Sequence, residues 1–287
     1  MSDQGAGLIH KIGLGTVQFG LSYGIANQHG QTQKDEVGKL LSLAKAKGID
    51  LLDTANAYGE SEQVIGTMAD SSFKIVTKFL KTANAKEIDE QLGQSLSALK
   101  RVNLYGYMAH DAKALSTIDG LWNKLQELKA AGKVEKVGAS YYDPHLLDQH
   151  LEQGMVPDII QVPYNYIDQR FKAIMSQCKA MGTEVHTRSA FLQGLFFIPA
   201  HELSNHFEPL KPWLKHLRAN LTTDALLAGY LLYTCLKQPF IDKVIIGVNH
   251  LSQLEMNMNS LDLDFGELGI ESPPALDENI LNPSQWP

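Results

Sequence analysis

Cysteine is nearly absent from this chain: two among 287 residues, Cys178 and Cys235, both inside expected helices. A secreted disulfide framework is therefore excluded. No apolar run approaches the ~18 residues of a membrane span, and the longest notable one, Leu226 to Tyr233, is interrupted by Gly229. Basic residues are in deficit, 25 against 32 acidic ones, for a net charge of −7. The broad basic patch that nucleic acid or an acidic membrane would require is thus not expected. The opening MSDQGAGLIHKIGLG lacks the basic-then-apolar order of a secretory leader. His145 with His150, and His201 with His206, do not follow a metal-ligand spacing. Gly13, Gly15 and Gly20 miss the dinucleotide fingerprint because the third glycine is misplaced, and close backbone approach is their better reading. These absences leave a soluble, cytoplasmic protein with no nucleic-acid, membrane or metal partner expected. A small anionic ligand stays open, since helix N-termini hold phosphates without net positive charge.

What the chain does have is alternation. Short apolar runs alternate with longer amphipathic stretches, the βαβα pattern of a parallel sheet. Strands are expected at 12–16, 49–53, 74–78, 104–108, 134–140, 159–162, 184–188 and 243–246. Helices are expected at 35–47, 61–68 with Ser61 as cap, 168–181, 223–236 and 251–261. Helical stripes run through Ile88, Leu92, Leu96 and Leu99, and through Leu115, Ile118, Leu121, Leu125 and Leu128 up to Gly132. Asp143-Pro144 supplies a cap and a first-turn proline for a further helix. An insert spans 191–221, with an extra helix near 212–220. Eight strand-plus-helix units make an α/β protein of the (β/α)8, TIM-barrel type, one domain over 1–287 with an irregular tail from about 262.

The chemistry concentrates at strand ends. Asp53 ends the second strand, Lys78 the third, His110 follows the fourth, and Tyr58 lies on the second βα loop. The separations are 25 residues from Asp53 to Lys78 and 32 from Lys78 to His110, each about one strand-plus-helix unit. Parallel neighbours would bring all four side chains to one end of the sheet. A phenol with a pKa near ~10 is a weak acid that a neighbouring ammonium would strengthen. Lys78 can supply that charge, Asp53 can fix Lys78, and His110 can orient a carbonyl oxygen: a general acid and the groups that tune it. Taken singly, an Asp–Lys pair, a loop tyrosine or a histidine reads as structure. Four at consecutive strand ends read as a site.

The chain resembles the aldo-keto reductase superfamily, on GLGTVQFG at 13–20, DTANAYGESEQVIG at 53–66, VTKF at 76–79 and MAHD at 108–111. VGAS at 137–140, QVPYN at 161–165 and IIGVNHLSQLEMNM at 245–258 extend the match in order along nearly the whole chain. The resemblance implies reduction of an aldehyde or ketone to an alcohol, with Tyr58 as proton donor, Asp53 and Lys78 tuning it, and His110 orienting the carbonyl. It implies a nicotinamide cofactor across the barrel mouth, by family habit NADPH, with NADH also possible. Ser140 and Gln161 match residues that hold the carboxamide, while Tyr141 stands where the family has asparagine. Arg188, before Ser189, takes the place of an aromatic that stacks on the nicotinamide, and a guanidinium plane can stack likewise; its alternative is a salt bridge inside the mouth. Gly15, Thr16, Leu192 and Gly194 join the implied cofactor contacts. On the eighth βα loop, which grips the adenosine phosphate, Gly247 and Gln253 fall where many relatives carry basic residues, and Asn249, His250 and Asn257 remain as polar contacts. Phe19 and Tyr23 line the substrate pocket or simply pack, and Phe191 and Leu192 sit on a loop suited to pocket or cofactor cover. About eleven residues precede the first strand, room for a reduced barrel-closing hairpin at most, and Trp286 either anchors the tail or reaches the pocket rim. Two other readings remain: a Schiff-base lyase using Lys78, and a cofactor-binding regulatory subunit with little turnover.

Overall fold

In the computed structural model, which describes residues 7–82, 84–265 and 270–287, eight parallel strands close into a ring in the order β1 to β8. They are β1 Ile12–Gly15, β2 Leu51–Asp53, β3 Lys74–Phe79, β4 Leu104–Ala109, β5 Val134–Ser140, β6 Ile159–Pro163, β7 Glu184–Arg188 and β8 Lys243–Gly247. Closure is made by β8 against β1, with Ile12 beside Val244 and Gly15 beside Gly247. The major helices are α1 Lys34–Ala46, α2 Ser61–Met68, α3 Glu87–Leu99, α4 Leu121–Ala130, α5 Pro144–Glu152, α6 Lys172–Ala180, α7 Asp224–Leu236 and α8 Leu251–Asn259. Strands covered on both faces read as nearly unbroken apolar runs. Here the inward layer is Leu51, Val76, Met108, Ile159 and Ile245, and the larger core fills the space between strands and helices. Each buried aliphatic or aromatic side chain contributes ~1.5–3 kcal/mol. At the opposite end from the site, the Lys11 ammonium donates to the carbonyls of Leu236 (2.7 Å) and Gln238 (2.8 Å), tying β1 to the end of α7.

Several expected boundaries move, each for a local reason. The stripe from Leu115 to Leu128 is two helices, Lys113–Thr117 and α4, because Gly120 between them has φ +71°. Ser61 does not cap α2. Its hydroxyl donates instead to the Thr16 carbonyl at 2.8 Å and to Thr16 Oγ1 at 2.9 Å, stitching the second βα loop to the first. Asp168 lies ahead of α6, in a turn where Asn165 Oδ1 accepts its amide and the Arg170 guanidinium grips its carboxylate in a fork. The last helix stops at Asn259 and passes into a 3₁₀ turn, Ser260–Asp262.

The insert carries a helix at Lys211–Asn220, and the tail, expected to be irregular, carries a short one at Glu278–Leu281. Their apolar faces meet in a second cluster outside the main core, with Leu192, Phe196, Trp213 and Leu217 from the insert and Ile280 and Leu281 from the tail. Trp286 is an anchor there: its ring stands edge-on to Phe207 at 5.0 Å and its indole N–H donates to the Ile280 carbonyl. Residues 7–9 are helical. The remaining expectations for the leading residues and the tail fall partly on 1–6 and 266–269, outside the described residues.

Candidate active site

The barrel's parallel register levels the C-terminal ends of its strands. Gly15 pairs with Asp53, Lys78 with Met108, Ser140 with Gln161, Pro163 with Arg188, and Gly15 with Gly247. One rim therefore collects Gly15, Asp53, Lys78, Ser140, Gln161, Arg188 and Gly247, with His110 just beyond β4. The second βα loop is held down on this rim. The Asn56 amide donates to the Lys78 carbonyl at 3.0 Å, and the Tyr58 amide to that of Ala55 at 3.0 Å. Gly20 permits the first loop to lie against it: a β-carbon there would come 1.8 Å from the Tyr58 carbonyl.

The structure brings Asp53, Tyr58, Lys78 and His110 together. The Lys78 ammonium, 1% exposed, donates to Asp53 Oδ1 at 2.6 Å and to the Thr54 carbonyl at 3.0 Å. It lies over the face of Tyr58, 5.4 Å from the ring centre. The His110 ring stands edge-on to Tyr58, with centres 5.7 Å apart. Asp53 Oδ2 accepts from Gln161 Nε2 at 2.8 Å, so both carboxylate oxygens are engaged. Tyr58 and His110 are half-buried, and among the described residues neither the phenol oxygen nor the imidazole ring is engaged in a hydrogen bond.

The electrostatics depart from the expectation that Lys78 acidifies Tyr58. Burial raises the Tyr58 pKa above its ordinary value and the Asp53 charge raises it further; the cation that draws it down is Arg188. Lys78 spends its charge on Asp53. Burial lowers the Lys78 pKa, and Asp53 opposes that shift. His110 is pushed down to about 4, first by burial and then by the Lys78 charge, so it is a neutral imidazole at ordinary pH.

The other expected contacts divide. Gln161 and Ser140 lie side by side, both buried, and Gln161 ties itself to the acid group. Thr16 is fully buried, its hydroxyl donating to the Asp53 carbonyl at 2.9 Å. Tyr141 turns outward into the core, where its hydroxyl meets His150 Nδ1 at 3.1 Å. Arg188 makes no ion pair among the described residues. Its guanidinium lies 3.9 Å from the Tyr142 ring centre, and Nη2 reaches the Tyr141 carbonyl at 3.4 Å. Ser189 has φ +68°, and Asn165 Nδ2 donates to its carbonyl. Leu192 is fully buried in the outer cluster. Gly194, φ +88°, packs so tightly on Ala26 that a β-carbon would come within 2.6 Å. Phe19 is fully buried in the main core, so it packs rather than facing the mouth. Tyr23 is 42% exposed, and its hydroxyl accepts from Gln193 Nε2 at 2.9 Å, across the mouth.

At the eighth βα loop, Asn249 and Asn257 are buried, and Asn249 Nδ2 donates to the Gly30 carbonyl. The amides ahead of α8 are filled from within the chain. Gln253 Oε1 accepts from Asn249 (2.7 Å) and His250 (3.4 Å), and Glu36 Oε1 accepts from Leu251 at 2.7 Å. The Leu251 amide, and then Lys39, hold the Glu36 carboxyl below its usual range. Beside it a cleft of about 240 Å³ opens between the first βα loop and α8, lined by His29, Thr32, Glu36, Asn249 and His250.

The sequence reading passed over three residues. Gln18 is 8% exposed, its Oε1 is buried without a partner among the described residues, and its amide nitrogen lies 2.6 Å from where a Gly247 β-carbon would stand. Tyr142 and Glu36 are the others. A polar residue inside the glycine-rich 13–20 segment could have flagged Gln18. Nothing in the sequence flags Glu36, which lies 215 residues from its partner. Among the described residues no group of three or more His, Cys, Asp or Glu is placed to hold a metal, and no helix is long and apolar enough to cross a membrane.

The family profile described as "Aldo/keto reductase family" matches residues 11–272. The chain is 27% identical over 179 residues to the aldo-keto reductase YhdN of Bacillus subtilis, covering 56% of this chain and 52% of that protein. It is likewise 27% identical over 177 residues to the NADH-specific methylglyoxal reductase of Escherichia coli, covering 52% and 54%. The alignments thus span about half the length of the curated relatives. The fold is shared with the aldo-keto reductase AKR11C1 of Bacillus halodurans in its holo form, with a TM-score of 0.73, 21% identity, and 88% of this chain against 87% of that one.

Proposed function

Because the chain belongs to the aldo/keto reductase family, we propose that it reduces the carbonyl of an aldehyde or ketone to an alcohol, with Tyr58 as the proton donor. The observation that carries this reading is the Tyr58 ring set between the Lys78–Asp53 pair and the edge-on ring of His110, its hydroxyl free of hydrogen bonds among the described residues. A nicotinamide cofactor, when bound, supplies the hydride. The mouth suits such a ligand. Among the described residues Gln18 Oε1 is a buried acceptor in want of a donor, of the kind a ribose hydroxyl or a carboxamide offers, and its amide group lies directly against the Gly247 backbone at the rim. Ser140 and Gln161 would hold the carboxamide, Arg188 and Ser189 would border the ring, and Asn249, Gln253 and Asn257 would border the adenosine end.

The proton step needs no acidified phenol. An alkoxide is about as basic as hydroxide, whose conjugate acid has a pKa near ~15.7. A phenol raised by burial therefore still protonates it downhill, and stays fully protonated at neutral pH until it does. As the carbonyl carbon gains its hydrogen, the Tyr58 O–H bond breaks, the proton passes to the nascent alkoxide, and the phenolate left behind lies near the Lys78 and Arg188 cations. Neutral His110 offers one N–H to the same oxygen. Lys78, buried and doubly hydrogen-bonded, is a poor Schiff-base nucleophile. The test is oxidation of reduced nicotinamide by a broad aldehyde and ketone panel with identification of the alcohol. No consumption across that panel overturns the reading.

The choice between NADPH and NADH turns on Glu36. A 2′-phosphate at the N-terminus of α8 would meet a carboxylate, with the Asn249, His250 and Leu251 amides already filled. This favours NADH over the family's usual NADPH, and one relative is named for that specificity. A like charge at contact distance costs on the order of 1 kcal/mol near water, so NADH is expected to bind about fivefold or more tightly. Fluorescence titration of both cofactors checks this. Glu36→Gln should narrow the gap, whereas tighter NADPH binding by the unaltered protein would restore the NADPH assignment.

A further inference from the structure

Two cations stand near Tyr58, and only one is matched. Lys78 has Asp53 at 2.6 Å. Arg188, at the end of β7, has no carboxylate within ion-pair distance among the described residues. The carboxylate of the acid–base group is engaged elsewhere: Asp53 is held by Lys78 and Gln161. Of the five N–H donors a guanidinium carries, one makes a single long bond to the Tyr141 carbonyl. The Tyr142 ring, with its centre 3.9 Å from the guanidinium carbon, packs against one side of the group. Its charge acts on the reacting end of the site, drawing down the pKa of Tyr58 and of His110. A half-buried charge without a counterion is costly unless a partner arrives to meet it. In a protein of net charge −7, general attraction of anions does not account for a lone cation here. A planar fork suits the two oxygens of a carboxylate or phosphate.

We propose that Arg188 is the seat of an anionic group on the substrate, so that this protein takes carbonyl compounds bearing a carboxylate or phosphate near the reacting carbon. The assignment rests on the carbonyl-reductase reading and adds the substrate class to it. Tyr142 is a positioning residue that packs against one side of the guanidinium.

The test uses matched pairs. 4-Carboxybenzaldehyde is compared with its methyl ester, and glyceraldehyde 3-phosphate with glyceraldehyde, by kcat/KM. The anionic member is expected to lead by about tenfold or more in at least one pair, and the pair in which it leads distinguishes carboxylate from phosphate. Arg188→Gln should bring that ratio down to near one, chiefly through KM of the anion. Arg188→Lys, which keeps the charge and loses the fork, should retain part of it. Benzoate should raise the thermal midpoint of the unaltered protein more than benzamide does, and should lose that advantage in Arg188→Gln. A ratio at or below one in both pairs, or a ratio unchanged in Arg188→Gln, overturns the proposal. If no carbonyl is reduced at all, the reductase reading falls instead, and the benzoate–benzamide comparison decides the anion seat by itself.

Discussion

Replacing Tyr58 with phenylalanine is expected to leave a folded protein that binds nicotinamide cofactor and turns over ~100-fold more slowly or worse, the scale of general acid catalysis. The hydroxyl removed has no hydrogen-bond partner within the described residues, so nothing in the fold is left unsatisfied. Phenylalanine keeps the ring, with its contacts to the Lys78 ammonium and the His110 ring. Thermal midpoint and cofactor Kd should therefore hold while kcat falls. The pH dependence sharpens the test. His110 titrates near about 4 and the Tyr58 pKa is raised above its ordinary value, so neither group changes state across the neutral range. The unaltered enzyme's reduction rate should be flat there, with loss only as the pH falls toward the His110 value. A Tyr58→Phe protein that keeps more than a tenth of the activity would move the proton donor elsewhere.

Asp53→Asn is expected to be the most destabilising single change in the site. It leaves the Lys78 ammonium 1% exposed with no counter-charge and leaves burial of that amine unopposed. Removing one member of a buried ion pair costs ~3–5 kcal/mol, roughly 10 °C in thermal midpoint for a chain of this size. The double change Asp53→Asn with Lys78→Met replaces the charge with an apolar chain of similar length and should recover most of that loss, because apolar replacement of a whole buried pair is often neutral. Activity should stay low in both. Calorimetry on the two proteins separates what the pair does for the fold from what it does for the phenol. A single variant less than 1 kcal/mol below the parent would mean that the pair is not ionised in the folded protein.

Periodicity made the barrel legible: eight apolar runs at barrel spacing, with acid–base residues just past three of them. What escaped had physical reasons. A helical stripe through Ile118 cannot show that Gly120 adopts a left-handed turn. The hydroxyl of Ser61 had a competing acceptor at Thr16, 45 residues away. Tyr141 and Tyr142 are adjacent, so one faces the core and the other the mouth, and the pattern does not say which. The direction of the Tyr58 shift is not legible in the sequence, because charge pairs are readable there whereas burial is not, and burial is the largest influence on that phenol. Glu36 meets Leu251 only because β8 closes on β1.

The outer cluster divides the molecule's cohesion in two. The insert and the tail hold one another through Leu217, Trp213, Ile280 and Leu281, and rest on Leu227 and Leu231 of α7 rather than on the core between strands and helices. Such a layer can lift as a unit while the strands stay paired, and segments of this kind open at lower free energy than the whole. In deuterium labelling, amides of the insert and tail helices should therefore exchange well ahead of the strand amides that carry the reactive groups. The chemistry would then sit on the slowest-breathing part of the chain, beneath a flank free to drift in sequence.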